Sequence, residues 1–577
     1  MDSPVSAFAI YKTTQKSKPK QNKNKKKKKK AAEKIKKQQK KEKQAMKEIG
    51  KRKSPKKKKS KELKERTKKS NEISKRGNNF KDIEDVPVLV SANLRSYANL
   101  IEKQPVSSED AWSTTSTVDS FEFAPVRTDS SEEGLKVFKW MIAPYNSEDF
   151  FKNVWEKKPL HIARKKPTYY SELISTPAID GMLRNNTVLF TKNLDITSYR
   201  DGQRETHNED GRANPHIVWD QYLNGCSVRL LNPQVFIPQI HLLNATLQEY
   251  FNTLVGANAY LTPPDSQGFA PHYDDIEAFI LQTEGRKHWR LYKPLDQSEI
   301  LPRVSSKNFD QDEIGEPIME VTLEAGDMLY FPRGYIHQGV TIDGEHSLHL
   351  TVSMYQKHSW ADLFESIMPA SLQQAIAENV EFRQGLPLDV YDHLGNTHSD
   401  SKTPRRKELK KFVLSLFDKI KDHLEVDMCV DEMGRKFQYD ALPPILSDME
   451  KAVTVYGDTD VMVENGKVVN RVEFSLDTRI RLLRKNILRV CTEDVLKLYY
   501  YSENSTEYHA QEQNYMELDE NTVSGVDSLI VNYPEYIAVE NLDMEDDTAK
   551  IELAETLWSK GLIMTEFPLE NIDDDDE

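Results

Sequence analysis

The sequence predicts a mixed α/β chain built around a double-stranded β-helix, a jelly-roll of short strands. A helical segment follows it and a charged low-complexity tail precedes it. Three observations predict this. Short stretches with period-2 alternation cluster between residues 257 and 355. From His358 the apolar period changes to 3.6. The first 81 residues carry 33 Lys/Arg against 7 Asp/Glu, a composition that cannot bury a core.

The net charge of −12 therefore hides an asymmetry, about +26 before residue 82 and about −38 after it. At 577 residues there is room for two to four domains, and a mean hydropathy of −0.68 implies long unstructured stretches. Three scattered cysteines, Cys226, Cys429 and Cys491, offer no disulfide framework and no zinc spacing, which fits a reducing compartment. No run of 18 apolar residues exists, and the N-terminus has no signal-peptide core, so no membrane partner is expected.

In chain order, residues 1–85 read as a disordered Lys-rich tail, densest at Lys25–Lys30 and Lys56–Lys59. Such a tail suits nuclear or nucleolar targeting and salt-sensitive contact with RNA or pre-ribosomes. Residues 86–134 read as a Ser/Thr/acidic linker, with order beginning near Leu135. Asn146 or Ser147 can cap a helix with Phe150, Phe151, Val154 and Trp155 on one face, ended by Lys158-Pro159. Leu242, Leu243, Leu247, Tyr250, Phe251 and Leu254 give a helical stripe leading into a strand at 257–262.

The central stretch, Gly268 to Pro294, reads as two strands joined by a turn at Glu284-Gly285, the second strand being Lys287 to Tyr292. On the first, His272 and Asp274 share a face while Tyr273 and Asp275 share the other. Imidazole and carboxylate two residues apart are two thirds of a facial triad for non-haem Fe(II). His-x-Asp alone is a weak signal, and a second copy, His398-Ser399-Asp400, lies in a polar loop. After a turn at Glu324–Asp327, Met328–Pro332 reads as a strand, Arg333-Gly334 as a turn and Tyr335–Gly339 as a strand carrying His337, one candidate third ligand. His346 and His349 compete with it. The last strand of the set is Ser347–Tyr355, with Leu348, Leu350, Val352 and Met354 on one side and His349, Thr351, Ser353 and Tyr355 on the other. Short strands closing over a metal site are the jelly-roll of cupins.

Beyond it, Trp360, Phe364, Ile367, Met368 and Leu372 fit one helix face. Thr403-Pro404 starts another helix, with Leu409, Phe412, Val413, Leu416, Phe417, Ile420 and Leu424 forming a stripe wide enough to need a partner. Residues 441–577 mix short strands with a helix ending at Gly561. With 22 Asp/Glu and two Lys in 501–577, this end has the wrong sign for a DNA reader and fits a protein-contact domain.

P-H-Y-D at 271–274, Lys287 fifteen residues after His272, F-P-R-G-Y-I-H at 331–337 and W-E-K-K-P-L-H-I at 155–162 together resemble the JmjC-type, 2-oxoglutarate-dependent ribosomal oxygenases. The resemblance covers roughly 135–577. It implies a JmjC/cupin catalytic domain at 135–357, a helical dimerisation domain at 358–440 and an acidic winged-helix-like domain at 441–577. It selects His337, through F-P-x-G-x-x-H, as the third metal ligand with His272 and Asp274, making these the catalytic residues. It implies Fe(II), with 2-oxoglutarate as cosubstrate held by Lys287 and Asn258, and a peptide substrate met by Arg229, Tyr260, Asn308 and Ser353. Tyr260 is the only aromatic in that last set, so no cage for a quaternary ammonium is expected.

The chemistry so implied is hydroxylation of a histidine of a large-subunit ribosomal protein, at its β-carbon. Demethylation of lysines in the histone H3 tail, a role in chromatin and transcription, is implied beside it, as are a homodimer and a nucleolar location. The alternatives are a cupin that binds metal without oxygenase activity, against which Lys287 argues, and a catalytically silent nucleolar scaffold in ribosome assembly, against which the intact triad argues.

Overall fold

The computed structural model describes residues 124–457 and 461–571. The tail at 1–85 and the linker up to residue 123 lie outside the described residues. Order reaches further back than Leu135, because Asp129 caps a helix within the stretch read as linker. Its side chain accepts from Ser131 N at 2.7 Å, and Glu132 and Glu133 occupy the positive first turn. This helix, α1 (Ser130–Ile142), is followed by α2 (Ser147–Asn153), whose cap Asn146 accepts from Glu148 N and Asp149 N.

Ten strands make the central sheet: β1 (Leu160–Ile162), β2 (Leu194–Arg200), β3 (Gln203–Thr206), β4 (Ser227–Leu231), β5 (Gly256–Thr262), β6 (Glu277–Tyr292), β7 (Met319–Glu324), β8 (Met328–Phe331), β9 (Ile336–Thr341) and β10 (Ser347–Met354). Three further helices intervene, α3 (Thr176–Asn185), α4 (Pro215–Leu223) and α5 (Pro238–Phe251). β6 belongs to both halves of the jelly-roll. Ala278–Leu281 pairs with β8, and β10 lies on its other side; Arg286–Leu291 pairs with β7 and Lys287–Tyr292 with β9.

This corrects the expected hairpin at Glu284-Gly285. The chain does not turn there, and Lys287 lies within one 16-residue strand rather than at the start of a second. Gly285 has φ +62°, and a Cβ on it would lie 1.8 Å from the His346 carbonyl oxygen. The glycine lets β6 pass a bulge between Leu348 and His349 of β10. A second correction concerns His272 and Asp274, which lie outside any named strand. One bridge holds their segment, His272 N to His337 O at 3.3 Å and His337 N to His272 O at 2.8 Å.

Alternation puts the core on one face and the site on the other. Ala257, Ala259 and Leu261 of β5 and Leu348, Leu350, Val352 and Met354 of β10 pack outward into the main core, with Phe138 of α1, Phe150 of α2 and Leu243, Leu247 and Phe251 of α5. Rings interlock there: Phe150 and Tyr330 stand edge to face at 4.9 Å, and Trp155 stacks parallel to Tyr330 at 6.0 Å. The opposite faces of β5 and β10 line a cavity of about 460 Å³ between the two halves of the jelly-roll.

The helical region contains α6 (Trp360–Glu378), α7 (Pro404–Lys421) and α8 (Val426–Asp440). On α6 the buried stripe is Leu363, Ile367, Ser371 and Ala375, because Leu363 and Ile367 pack with Cys429 of α8. Of the residues expected to share one helix face, Ile367 is buried while Trp360 (78% exposed) and Phe364 (48%) point outward. On α7, Leu409 and Ile420 are buried while Phe412, Val413, Leu414 and Phe417 are exposed.

The C-terminal part is a winged-helix domain. A sheet of Arg479–Leu482, Ile537–Ala538 and Ile563–Thr565 carries two helices, Glu520–Asn532 and Asp547–Ser559, and a second sheet spans 488–518. It docks on α5, where the Gln248 amide bonds both N and O of Leu442 and His241 bonds the Pro443 carbonyl at 2.8 Å.

Candidate active site

His272, Asp274 and His337 converge at one point of the cavity. His272 Nε2 lies 3.9 Å from Asp274 Oδ1, and His337 Nε2 lies 3.7 Å from Asp274 Oδ2. Among the described residues this is the one cluster of three His, Cys, Asp or Glu able to share a metal ion. The backbone sets the tautomer of both rings. His272 Nδ1 donates to Ala270 O at 2.8 Å and His337 Nδ1 to Tyr335 O at 3.1 Å, which leaves both Nε2 lone pairs facing Asp274. Burial, then repulsion from His272, pushes His337 down to about 4, so it is a neutral donor at physiological pH. Two imidazoles and one carboxylate on one side of a point fit Fe(II).

Of the other histidines weighed as ligands, His346 bonds Glu284 at 3.0 Å. His349 lies inside the cavity but outside the triad cluster. His398 and Asp400 sit together in the loop before α7, away from the cavity.

Lys287 is the second feature. It is 5% exposed, and among the described residues its ammonium makes one hydrogen bond, to Thr262 Oγ1 at 3.2 Å, and pairs with no carboxylate. Burial pushes its ammonium down to about 7. A buried cation without an anion is costly, so this cavity suits a ligand that brings a carboxylate. Arg286 forks onto Glu345 at 2.7 and 2.6 Å and Arg290 pairs with Glu320 at 3.2 Å, so both are already engaged.

The remaining expected residues line the same cavity. Asn258 faces Thr351 across β5 and β10, and Ser353 is two residues further along β10. Neither side chain makes a hydrogen bond among the described residues. Asn308 lies on an exposed loop at the mouth. Arg229 is tied to Asp195 at 2.5 Å. Tyr260 is not the only aromatic lining the cavity: Phe269 meets it edge to face at 5.4 Å, and Trp289 and Phe331 stand deeper. Alternation alone could not find Phe269, because it lies on an irregular segment. The guanidiniums of Arg204 and Arg229 lie over Phe269, 4.7 and 5.5 Å from its centroid, so cations already occupy that ring. Arg204 also lines the cavity without having been expected to, and His349, weighed as a metal ligand, lines it without joining the triad.

Comparison with known proteins comes from sequence and from structure. Residues 229–363 match the family described as JmjC domain, and residues 442–569 match the family described as Ribosomal oxygenase 1, C-terminal winged helix domain. The chain is 53% identical over 438 residues to the bifunctional lysine-specific demethylase and histidyl-hydroxylase NO66 of Culex quinquefasciatus, covering 76% of this chain and 67% of that protein. It is 47% identical over 441 residues to ribosomal oxygenase 1 of Danio rerio, covering 76% and 81%. The Homo sapiens ribosomal oxygenase 1 is 45% identical over 442 residues, covering 76% and 69%. A solved structure of YcfD, a ribosomal oxygenase from Escherichia coli, in complex with cobalt and 2-oxoglutarate, is 16% identical. It has a TM-score of 0.37 and covers 73% of this chain and 99% of that one.

Proposed function

The chain belongs to the JmjC-type ribosomal oxygenases, and from that membership we propose that it is an Fe(II)- and 2-oxoglutarate-dependent oxygenase that hydroxylates a histidine of a ribosomal protein. The observation that carries the reading is the meeting, in one cavity, of a His-Asp-His cluster with a buried lysine that has no carboxylate partner among the described residues.

His272, Asp274 and His337 hold the metal, and Lys287 meets a carboxylate of the cosubstrate with Asn258 beside it. Bound together, iron and 2-oxoglutarate supply an oxidation by dioxygen that yields succinate, carbon dioxide and one oxygen atom inserted into a substrate C–H bond. The chain positions the reactants. The backbone carbonyls of Ala270 and Tyr335 keep both imidazoles aimed at the metal, and the aromatic walls keep bulk water from Lys287. Arg229, Tyr260, Asn308 and Ser353 offer donors and acceptors to an extended peptide at the mouth.

The relatives' names carry both histidine hydroxylation and lysine demethylation, and both begin with the same C–H hydroxylation. The two guanidiniums over Phe269 favour a neutral imidazole over a trimethylammonium. With iron and 2-oxoglutarate supplied, we expect the purified protein to add one oxygen to a histidine in a ribosomal-protein peptide. It acts at least about tenfold more slowly on a trimethyl-lysine histone H3 peptide. Mass spectrometry of both peptides reads this, and efficient methyl loss without an oxidised histidine reverses the order.

The exposed apolar faces of α6 and α7 serve a second copy of this chain. Glutamate at both Phe412 and Phe417 is expected to convert a dimer into a monomer by light scattering; a double variant with unchanged mass removes the dimer from the account. The Lys-rich segment provides nucleolar targeting and contact with RNA or pre-ribosomes. Removing residues 1–81 is expected to shift the protein out of the nucleolus in fluorescence images, while activity on a short peptide stays. Unchanged nucleolar signal places the address outside that segment, in a partner of the dimer.

A further inference from the structure

We propose that His349 is a second donor for the cosubstrate, its ring N–H bonding the distal carboxylate of the five-carbon keto diacid beside Lys287. This rests on the reading of the cavity given above and adds a residue to it.

Strand alternation on β10 turns His349 into the cavity, and its β5 partner in register is Tyr260. The imidazole stacks on Tyr260 with centroids 4.9 Å apart and planes 10° from parallel. Its edge meets Trp289 at 5.3 Å and 76°. Two rings thus fix its orientation, which is the pre-organisation a binding donor needs. The residue is 2% exposed, and its buried Nδ1 has no hydrogen-bond partner among the described residues.

A neutral imidazole always carries one N–H, and leaving it unpaired in a buried site is unfavourable. Burial first, then repulsion from Lys287 and His337, holds His349 well below its ordinary pKa, so it is neutral there and acts as a donor without adding charge. The Lys287 ammonium has three donors and, among the described residues, one acceptor, Thr262 Oγ1, so it too has N–H groups to satisfy. One carboxylate, with two oxygens and several lone pairs, answers both residues.

The test uses the full chain loaded with Mn(II) and titrated calorimetrically with two inert or slow ligands. One is N-oxalylglycine, a diacid analogue of 2-oxoglutarate. The other is 2-oxobutanoate, which lacks the distal carboxylate. His349→Phe keeps a flat ring and removes both nitrogens. It is expected to weaken diacid binding by about tenfold and leave monoacid and Mn(II) binding unchanged. A merely structural role lowers both ligands alike, and that result overturns the proposal. His349→Gln, which keeps a donor, is expected to retain most of the preference for the diacid. If His349→Phe does not fold, loss of that preference in His349→Gln overturns the proposal on its own. Lys287→Ala separates the two levels. If it leaves diacid binding unchanged, the reading of the cavity fails. If it weakens diacid binding while His349→Phe keeps the preference, only the assignment of His349 fails.

Discussion

Alanine at His272, Asp274 or His337 abolishes 2-oxoglutarate turnover while the fold stays intact. Each substitution removes one of three donors, and a two-donor site loses a divalent metal at working concentrations. The fold survives because the bridge joining the two histidine segments is made by backbone atoms, His272 N to His337 O and back. His398→Ala and Asp400→Ala serve as controls, since that pair has the same spacing but lies in the loop before α7. Both are expected to turn over 2-oxoglutarate at the wild-type rate. Succinate formation, with metal content per chain measured beside it, checks the result. Activity lost at His398 and kept at His272 assigns the metal to the other pair.

Lys287→Ala weakens 2-oxoglutarate binding about 10- to 100-fold, the range for a hydrogen bond to a charged group, without displacing the metal. Neither neighbouring arginine can substitute, because Arg286 is held by Glu345 and Arg290 by Glu320. The wild-type protein also carries a pH signature. Burial depresses Lys287 to about 7, so the free protein is cationic there below that pH and neutral above it. A carboxylate binds the cationic form, so affinity is full below about 7 and declines as pH rises through it. Binding near pH 8 therefore takes up a proton, which calorimetry in buffers of different ionisation enthalpy measures. The same depression has a stability sign. The unfolded lysine holds its proton to about 10.4, so the free fold is penalised below about 7 and recovers stability between there and 10. Affinity and proton uptake that ignore pH from 6 to 9 contradict this role for Lys287.

What the sequence revealed follows how local each signal is. The alternation of β10 separated Leu348, Leu350, Val352 and Met354 from His349, Thr351 and Ser353, and the structure puts the first set in the core and the second in the cavity. Asn146 and Thr403 cap their helices as their side-chain chemistry requires. The triad needed a longer link. His272 and His337 are 65 positions apart, and only the resemblance joined them; periodicity could not. Gly285 was misread because a glycine in a left-handed conformation serves a bulge as readily as a turn, and the deciding contact is with His346, far along the chain. Which apolar stripe of α6 is buried was not legible, because Leu363, Ile367, Ser371 and Ala375 also fit a helical period, and the packing of α8 chooses between the stripes. Phe269 and Arg204 stayed hidden since neither spacing nor composition shows that a loop ring and an edge-strand guanidinium meet.

Isotopic oxygen tests the central claim most directly. The purified protein, with iron, 2-oxoglutarate and a histidine-bearing ribosomal-protein peptide, is incubated under ¹⁸O₂ in ordinary water, and both products are weighed. The account predicts one heavy oxygen on the histidine and one in succinate for each carbon dioxide released. A histidine that gains no oxygen while succinate forms, or one whose oxygen comes from water, contradicts it.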